Sequence, residues 1–310
     1  MKKFWFHGAL ICAVAATMAV AAPPKKGGGG GNGGGSTSFE AAYVYWTSKG
    51  RSQAIVITDV NADKSAQVYT TKNGLGDLDH ALGESKIAFV ENGEPALLEY
   101  IFANGVAEVD SVTRLAANQG VEAYCITISP DGNSVAYYDG VSGRLSVRRA
   151  SGTTTYLTIP DVISCDFYAD GSGIALAGLD GNEYFVGDIG YDATSGQLSG
   201  FQKHVYTSAL NQRLESVSTA NSGYDLLISW KNGPDGGSLD ALQIVEWQPS
   251  DGNMLYAATI YAGAEGQYSC NGADILFDDV DGTDTWSEYS PALSSTRPIL
   301  RGGRRFSPIC

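Results

Sequence analysis

Apolar residues in this chain come in short runs, separated by small and polar residues, with no stretch that sustains a helical period. The segment "ISPDGNSVAYYDG", residues 128–140, is the clearest unit. Pro130 presets the backbone for a turn, Asp131 tolerates the next position and Gly132 takes the place where a side chain is unwelcome. The flanking runs "YCITI" and "SVAYYD" are rich in β-branched and aromatic residues, so a hairpin is expected. Related units occur at "HALGESKIAFVENG" (80–93), "CDFYADGSGIALAG" (165–178), "STANSGYDLLISWKNG" (218–233) and "CNGADILFDDVDG" (270–282). A sixth apolar run, "EAAYVYWTSKG" (40–50), lacks a strand before it.

Central apolar residues of the six units are Val44, Ile87, Val135, Ile174, Leu227 and Ile275, spaced by 43, 48, 39, 53 and 48 residues. Two further runs and a second small-residue turn follow within each unit, as at Ser151-Gly152 and Asp251-Gly252. Four antiparallel strands per unit at this period predict an all-β fold, a six-bladed β-propeller of four-stranded blades. The second run of each unit is apolar on both faces, as expected of a strand buried between stacked blades. The strand missing from the first unit is expected at the other end of the chain. There Phe306-Ser307-Pro308 echoes Ile128-Ser129-Pro130, so the C-terminal strand is predicted to close the first blade and leave no open pair of edges. A frayed tail with a chance match is the alternative.

The motif SPDG-x-x-[IV]-A-[FY], followed 20–30 residues later by a second Asp-Gly turn, resembles the repeats of the TolB-type (WD40-like) propellers. The resemblance covers roughly residues 40–310 and is sharpest at 128–158. It implies the propeller fold. The α/β domain that precedes the propeller in that family has no counterpart here, so its envelope-partner role is not carried over by residue.

The N-terminus has the composition of a targeting segment. Lys2 and Lys3 precede the apolar stretch Phe4 to Ala22, and Ala19-Val20-Ala21 fits a signal-peptidase site. Residues 1–21 are thus expected to be a signal peptide, 22–38 a glycine-rich flexible linker and 39–310 the propeller. An uncleaved anchor is the rival reading of the same stretch. Ile11 before Cys12 argues against a lipid anchor, and no stable membrane insertion is expected after cleavage.

Formal charge is −14, with only 17% of residues charged and 43% hydrophobic, which describes a soluble folded chain and disfavours nucleic acid as a partner. Four cysteines follow the signal segment: Cys125, Cys165, Cys270 and Cys310. An even count in an exported chain favours disulfides, and the repeat alignment selects the pairs. Cys125 and Cys165 stand ten and nine residues before their central apolar residues, at similar height on adjacent blades. Aligning Pro308 with Pro130 places Cys310 level with Gly132, next to Cys270, which is level with Pro130. The expected bonds are Cys125–Cys165 and Cys270–Cys310, with buried free thiols as the alternative.

Chemical machinery is sparse. His80 and His204 lie on different units, no Cys/His group has zinc spacing and no G-x-S-x-G elbow occurs, so no catalytic residue and no cofactor is assigned. "DVNADK" (59–64) begins like a calcium loop, but Lys64 stands where Gly is required and Thr70 where Glu is required. Asp279, Asp281 and Asp284 around Gly282 offer hard oxygen ligands for Ca²⁺; a solvated hairpin accounts for the same cluster. Trp46, Trp230, Trp247 and Trp286 are expected between blades. The expected function is an exported, monomeric, non-catalytic propeller of the periplasm or secretome that binds an envelope or secreted protein, through loops such as 233–240 and 189–202. The alternatives are a propeller lyase or glycoside hydrolase with acidic residues at the central funnel, which needs two facing carboxylates, and a structural extracellular protein.

Overall fold

A computed structural model describes residues 42–59, 64–103, 106–117, 119–207, 213–220, 225–231, 241–248, 253–260, 266–268, 275–278, 285–290, 295–301 and 304–309. The expected signal peptide and linker, the segment 60–63, Cys270, Cys310, Asp279, Asp281, Asp284 and the loop 233–240 lie outside the described residues. So do the side chains of His204 and Trp247.

Every described element is a strand, and the strands form six antiparallel sheets of four. Blade 1 contains β1 (Ala42–Lys49), β2 (Ser52–Asp59) and β3 (Lys64–Thr71). Blade 2 is β4 (Leu75–His80), β5 (Lys86–Glu91), β6 (Glu94–Ala103) and β7 (Val106–Arg114). Blade 3 is β8 (Ala123–Ile128), β9 (Ser134–Asp139), β10 (Arg144–Arg149) and β11 (Thr154–Thr158). Blade 4 is β12 (Asp161–Phe167), β13 (Gly173–Asp180), β14 (Glu183–Asp192) and β15 (Gln197–Thr207). Blade 5 is β16 (Arg213–Thr219), β17 (Asp225–Lys231), β18 (Ala241–Gln248) and β19 (Asn253–Ile260). Blade 6 is β20 (Gly266–Tyr268), β21 (Ile275–Asp278), β22 (Thr285–Ser290) and β23 (Ser295–Arg301). The last strand, β24 (Arg304–Ile309), returns to pair with β1, so the sheet order of blade 1 is β24-β1-β2-β3. The C-terminal strand therefore closes the first blade, as its sequence predicted.

Closure is visible in the packing. A separate cluster of buried side chains fills each of the six gaps between neighbouring blades. Val44 and Trp46 meet Ile87 and Phe89 between blades 1 and 2, and Val90 meets Ile126 and Tyr137 between blades 2 and 3. Tyr138 and Leu145 meet Ile174 and Phe185 between blades 3 and 4. Ala175 and Val186 meet Leu226 and Trp230 between blades 4 and 5. Leu227 meets Ile275 and Phe277 between blades 5 and 6, and Leu276 and Trp286 meet Tyr45 and Val56 between blades 6 and 1. This is why the second strands read as continuous apolar runs: alternate side chains face opposite neighbours, and both faces are covered. Trp46, Trp230 and Trp286 are all inter-blade residues.

The turn at Ser129–Ser134 is built as its residues suggest. Gly132 has φ of 65°, its N–H donates to the Ser129 carbonyl (2.8 Å), and the Ser129 hydroxyl donates to Asp131 (2.6 Å).

Two expectations are corrected. The stretch 189–202 is not a long loop. It is the hairpin of β14 and β15, with residues 193–196 as its turn. Asp192 organises that turn by accepting from the Thr194 N–H (2.9 Å) and the Ser195 hydroxyl (2.6 Å), and Gly196 supplies the positive φ of 75°. Side-chain capping of this kind compresses a polar, glycine-containing segment into a tight turn.

The echo of Ile128-Ser129-Pro130 in Phe306-Ser307-Pro308 is out of step by two residues. Ser307 lies opposite Val44, as Thr127 lies opposite Ala136, and Val44 and Ala136 each face the next blade. A two-residue slip keeps every side chain on its own face, so alternation along the strand does not detect it.

Candidate functional site

The innermost strand of each blade runs beside the propeller axis: β24, β4, β8, β12, β16 and β20 in order. One polar residue occupies the same register position on each of them. Ser307, Asp79, Thr127, Asp166, Ser218 and Gln267 pair with Val44, Ala88, Ala136, Ala175, Leu227 and Leu276 respectively. An axial cavity of about 90 Å³ opens among these strands, lined by Asp79, His80, Asp166, Thr219, Gln267 and Ser307 with their neighbours.

The polar groups are bonded mainly to one another, across blades. Asp79 Oδ1 accepts from the His80 N–H (2.8 Å) and the Ser307 hydroxyl (3.0 Å). Asp79 Oδ2 accepts from the Thr127 hydroxyl (2.8 Å) and the Ile128 N–H (3.0 Å). One carboxylate on blade 2 thus ties together blades 1, 2 and 3. Asp166 Oδ2 accepts from the Thr219 N–H (2.7 Å), and Asp166 Oδ1 lies 3.4 Å from the Thr127 hydroxyl oxygen. The Thr127 hydroxyl therefore stands between two carboxyl groups that reach the axis from blades 2 and 4.

Burial dominates the electrostatics. Asp79 and Asp166 keep part of their surface on the cavity but sit deep among protein atoms. Desolvation raises the pKa of both. Asp166 is pushed up to about 8, first by burial and then by the negative charge of Asp79. Among the described residues, no Lys or Arg forms an ion pair with either carboxyl. His80 is 5% exposed, and burial lowers its pKa to about 4, so it is neutral at pH 7. Its Nε2 lies 2.8 Å from the Tyr100 hydroxyl, while Nδ1 is buried with no hydrogen-bond partner. The histidine is half satisfied. No group of three His, Cys, Asp or Glu side chains that could hold a metal occurs among the described residues.

Of the cysteines, Cys125 and Cys165 are joined across β8 and β12, with Cα atoms 5.9 Å apart, beside the axial ring. Sequence reading missed the ring itself. A signal for it exists, because Thr127, Asp166, Ser218 and Gln267 each stand five residues before a glycine. Asp79 stands four before Gly83, which conceals the alignment.

At the opposite end of β8 a second feature appears. The register of β8 on β9 shifts between Ala123 and Cys125, so Tyr124 sits on a bulge. Its ring packs on Gly140: a Cβ at that glycine would come within 2.0 Å of Tyr124 Cε2. Tyr124 is 55% exposed and nearby Val141 67%, which places two large apolar side chains on one face of blade 3. Bulges often re-aim a side chain in this way beside functional sites.

Comparison with known proteins gives a fold. No family model matches the chain, and no curated protein matches it in sequence. Among solved structures, TolB from Acinetobacter baumannii superposes with a TM-score of 0.61 at 17% identity, over 87% of this chain and 67% of that one. A structure of a nidogen/laminin complex gives 0.61 at 8% identity, over 87% and 98%. A putative 6-phosphogluconolactonase from Bacteroides uniformis gives 0.56 at 12% identity, over 88% and 100%. At these identities the likeness shows the β-propeller fold alone.

Proposed function

We propose that this protein is an exported, non-catalytic propeller of the TolB type that binds a protein of the cell envelope or secretome through one face of its disc. The observation that carries the reading is the exposed Tyr124–Val141 pair, held by a bulge and a glycine at one end of blade 3. Exposed aromatic residues on a rigid frame are favoured anchors for protein partners. The TolB and nidogen likenesses are compatible with such a role. A photo-cross-linking residue at position 141 is expected to capture one partner from envelope or secreted fractions. Excess unlabelled protein should compete for the capture, and Tyr124→Ala should reduce it at least tenfold. Equal capture from position 154, on the outer strand β11, would sink the reading.

Export is supported by the cysteines. Ser307 and Gln267 are equivalent positions, and Cys310 and Cys270 each follow three residues later. These equal offsets from equivalent residues favour a Cys270–Cys310 bond in addition to Cys125–Cys165. Mass measurement after alkylation without reductant is expected to find no free thiol in the chain that lacks its signal segment. Two alkylated cysteines would remove the second bond.

A propeller hydrolase or lyase is the second reading, and one observation favours it: Asp79 and Asp166 both reach the axial cavity. Four frame donors already occupy the Asp79 carboxylate, which leaves it poorly placed to act on a substrate. Turnover of a glycoside that is abolished by Asp79→Asn would bring this reading forward.

A further inference from the structure

The hydroxyl groups at the axis have fewer protons than the contacts around them require. Thr127 has a single hydroxyl proton but two carboxyl oxygens within reach, Asp79 Oδ2 at 2.8 Å and Asp166 Oδ1 at 3.4 Å. Thr219 has the same difficulty, with the Phe167 carbonyl at 2.7 Å and Asp166 Oδ2 at 3.2 Å. In each case the shorter contact takes the proton. Asp166 is then left with a hydroxyl oxygen against each of its own oxygens and no proton in either gap. An ionised Asp166 would keep the Thr219 N–H and the Ser218 hydroxyl as donors, but its Oδ1 would meet a lone pair of Thr127 Oγ1. A protonated Asp166 donates to Thr127 Oγ1, which also accepts from the Phe167 N–H (3.1 Å) and donates to Asp79, using the full capacity of a hydroxyl. The Thr219 N–H and the Ser218 hydroxyl still have an acceptor on Asp166.

We propose that the axis holds one proton on Asp166, relayed through the Thr127 hydroxyl to an ionised Asp79, and that this proton helps to keep the latch strand β24 docked. Asp79 is where the relay meets the latch, because it accepts from Ser307, whose oxygen in turn accepts from the His80 N–H (3.2 Å). Loss of the proton puts two negative charges on either side of one hydroxyl.

The surroundings offer little compensation. β4 contributes Asp77 and neutral His80, and β16 contributes Arg213 and Glu215, which pair with each other at 2.9 Å. On β12 itself Asp161 accepts from the Tyr138 hydroxyl (3.0 Å). β13 presents Ala175 opposite Asp166, and β8 presents Thr127 and the disulfide-bonded Cys125.

The sign of the pH effect follows from the direction of the shift. Asp166 has a folded-state pKa raised from 3.8 to about 8. Its contribution is fully present below the ordinary carboxylate range and is lost as pH rises through about 8. With the full oxidised chain, the melting temperature should fall by about 5 °C or more between pH 6 and pH 9. Asp166→Asn, whose amide can donate to Thr127 as the protonated acid does, should be as stable as the wild type at pH 6 and lose much less by pH 9. At pH 9 the amide of Ile309 should exchange more slowly in Asp166→Asn than in the wild type. Carbon NMR of the wild type labelled at aspartate carboxyls supplies a readout that needs no variant: the Asp166 signal should remain that of a protonated acid at pH 7. An Asp166 signal that titrates in the ordinary carboxylate range, or parallel melting curves for the two proteins, would overturn the proposal.

Discussion

Deleting residues 304–310 is expected to lower the melting temperature by about 10–20 °C, or to leave the protein unable to fold. The deletion removes all of β24. Backbone pairing from Ala42↔Ile309 to Trp46↔Arg304 is lost, together with the contact of Ile309 with the cluster between blades 1 and 2. Asp79 loses the Ser307 hydroxyl and the His80 N–H loses an acceptor. Lost ladder bonds at about 1 kcal/mol each, with the buried area of one aliphatic residue, amount to about 5 kcal/mol. For a domain of this size that corresponds to roughly the stated shift. Blade 1 would also expose β1 as a new edge, a template for aggregation. Full-length Cys310→Ser is the control, because it keeps the strand and removes only the sulfur of Cys310 with any bond it makes. A truncated chain that melts within 3 °C of this control would show that β24 does not hold the ring closed.

Arg114→Met is expected to cost about 2–4 kcal/mol in urea denaturation, more than any other single surface-reaching charge. Arg114 ion-pairs with Glu91, whose side chain is only 2% exposed. Glu91 also accepts from Thr71, from the Asn73 amide (3.1 Å) and from the Tyr69 hydroxyl (3.0 Å). These partners lie on or just after β3 of blade 1, while Glu91 and Arg114 end β5 and β7 of blade 2. The network therefore joins two blades. Methionine keeps most of the packing of the Arg114 stem but leaves Glu91 charged and buried. The three remaining donors keep the loss below that of a bare buried charge. Arg213→Ala is the contrast, since Arg213 is largely exposed and Glu215 keeps partial access to water, so the loss should stay below about 1 kcal/mol. Equal effects of the two substitutions would show that the Glu91 network has no special role.

The blades were legible because each repeats the same local chemistry. Gly132 and Gly171 both take positive φ in turns that follow inner strands, and Ala136 and Ala175 both sit on second strands buried on two faces. Repetition exposes such features even when single positions drift. The latch was legible for a different reason: an apolar strand without a partner at one end implied a partner elsewhere. Its exact register was not, because Ser307 and Ser129 are both polar and a slip of two leaves inward and outward faces unchanged. The axial carboxyls were hidden by their ordinariness. Asp79 and Asp166 are two among 34 acidic residues, and no local motif marks them. Their significance comes from blades 2, 3 and 4 converging, which brings residues 39 and 48 positions away to the same hydroxyl. The hairpin 189–202 was misread because its length suggested a loop, whereas Asp192 folds four residues into a turn and frees the rest to extend the sheet.

The pairing of β24 with β1 also bears on how such a protein is made. A nascent chain still attached to the ribosome can form blades 2 to 6 in sequence, each from contiguous residues. The first blade has to wait until β24 has been made and can pair with β1. Synthesis that stops early therefore yields an open arc rather than a smaller wheel, and its unsatisfied end is the kind of surface that quality-control proteases and chaperones detect.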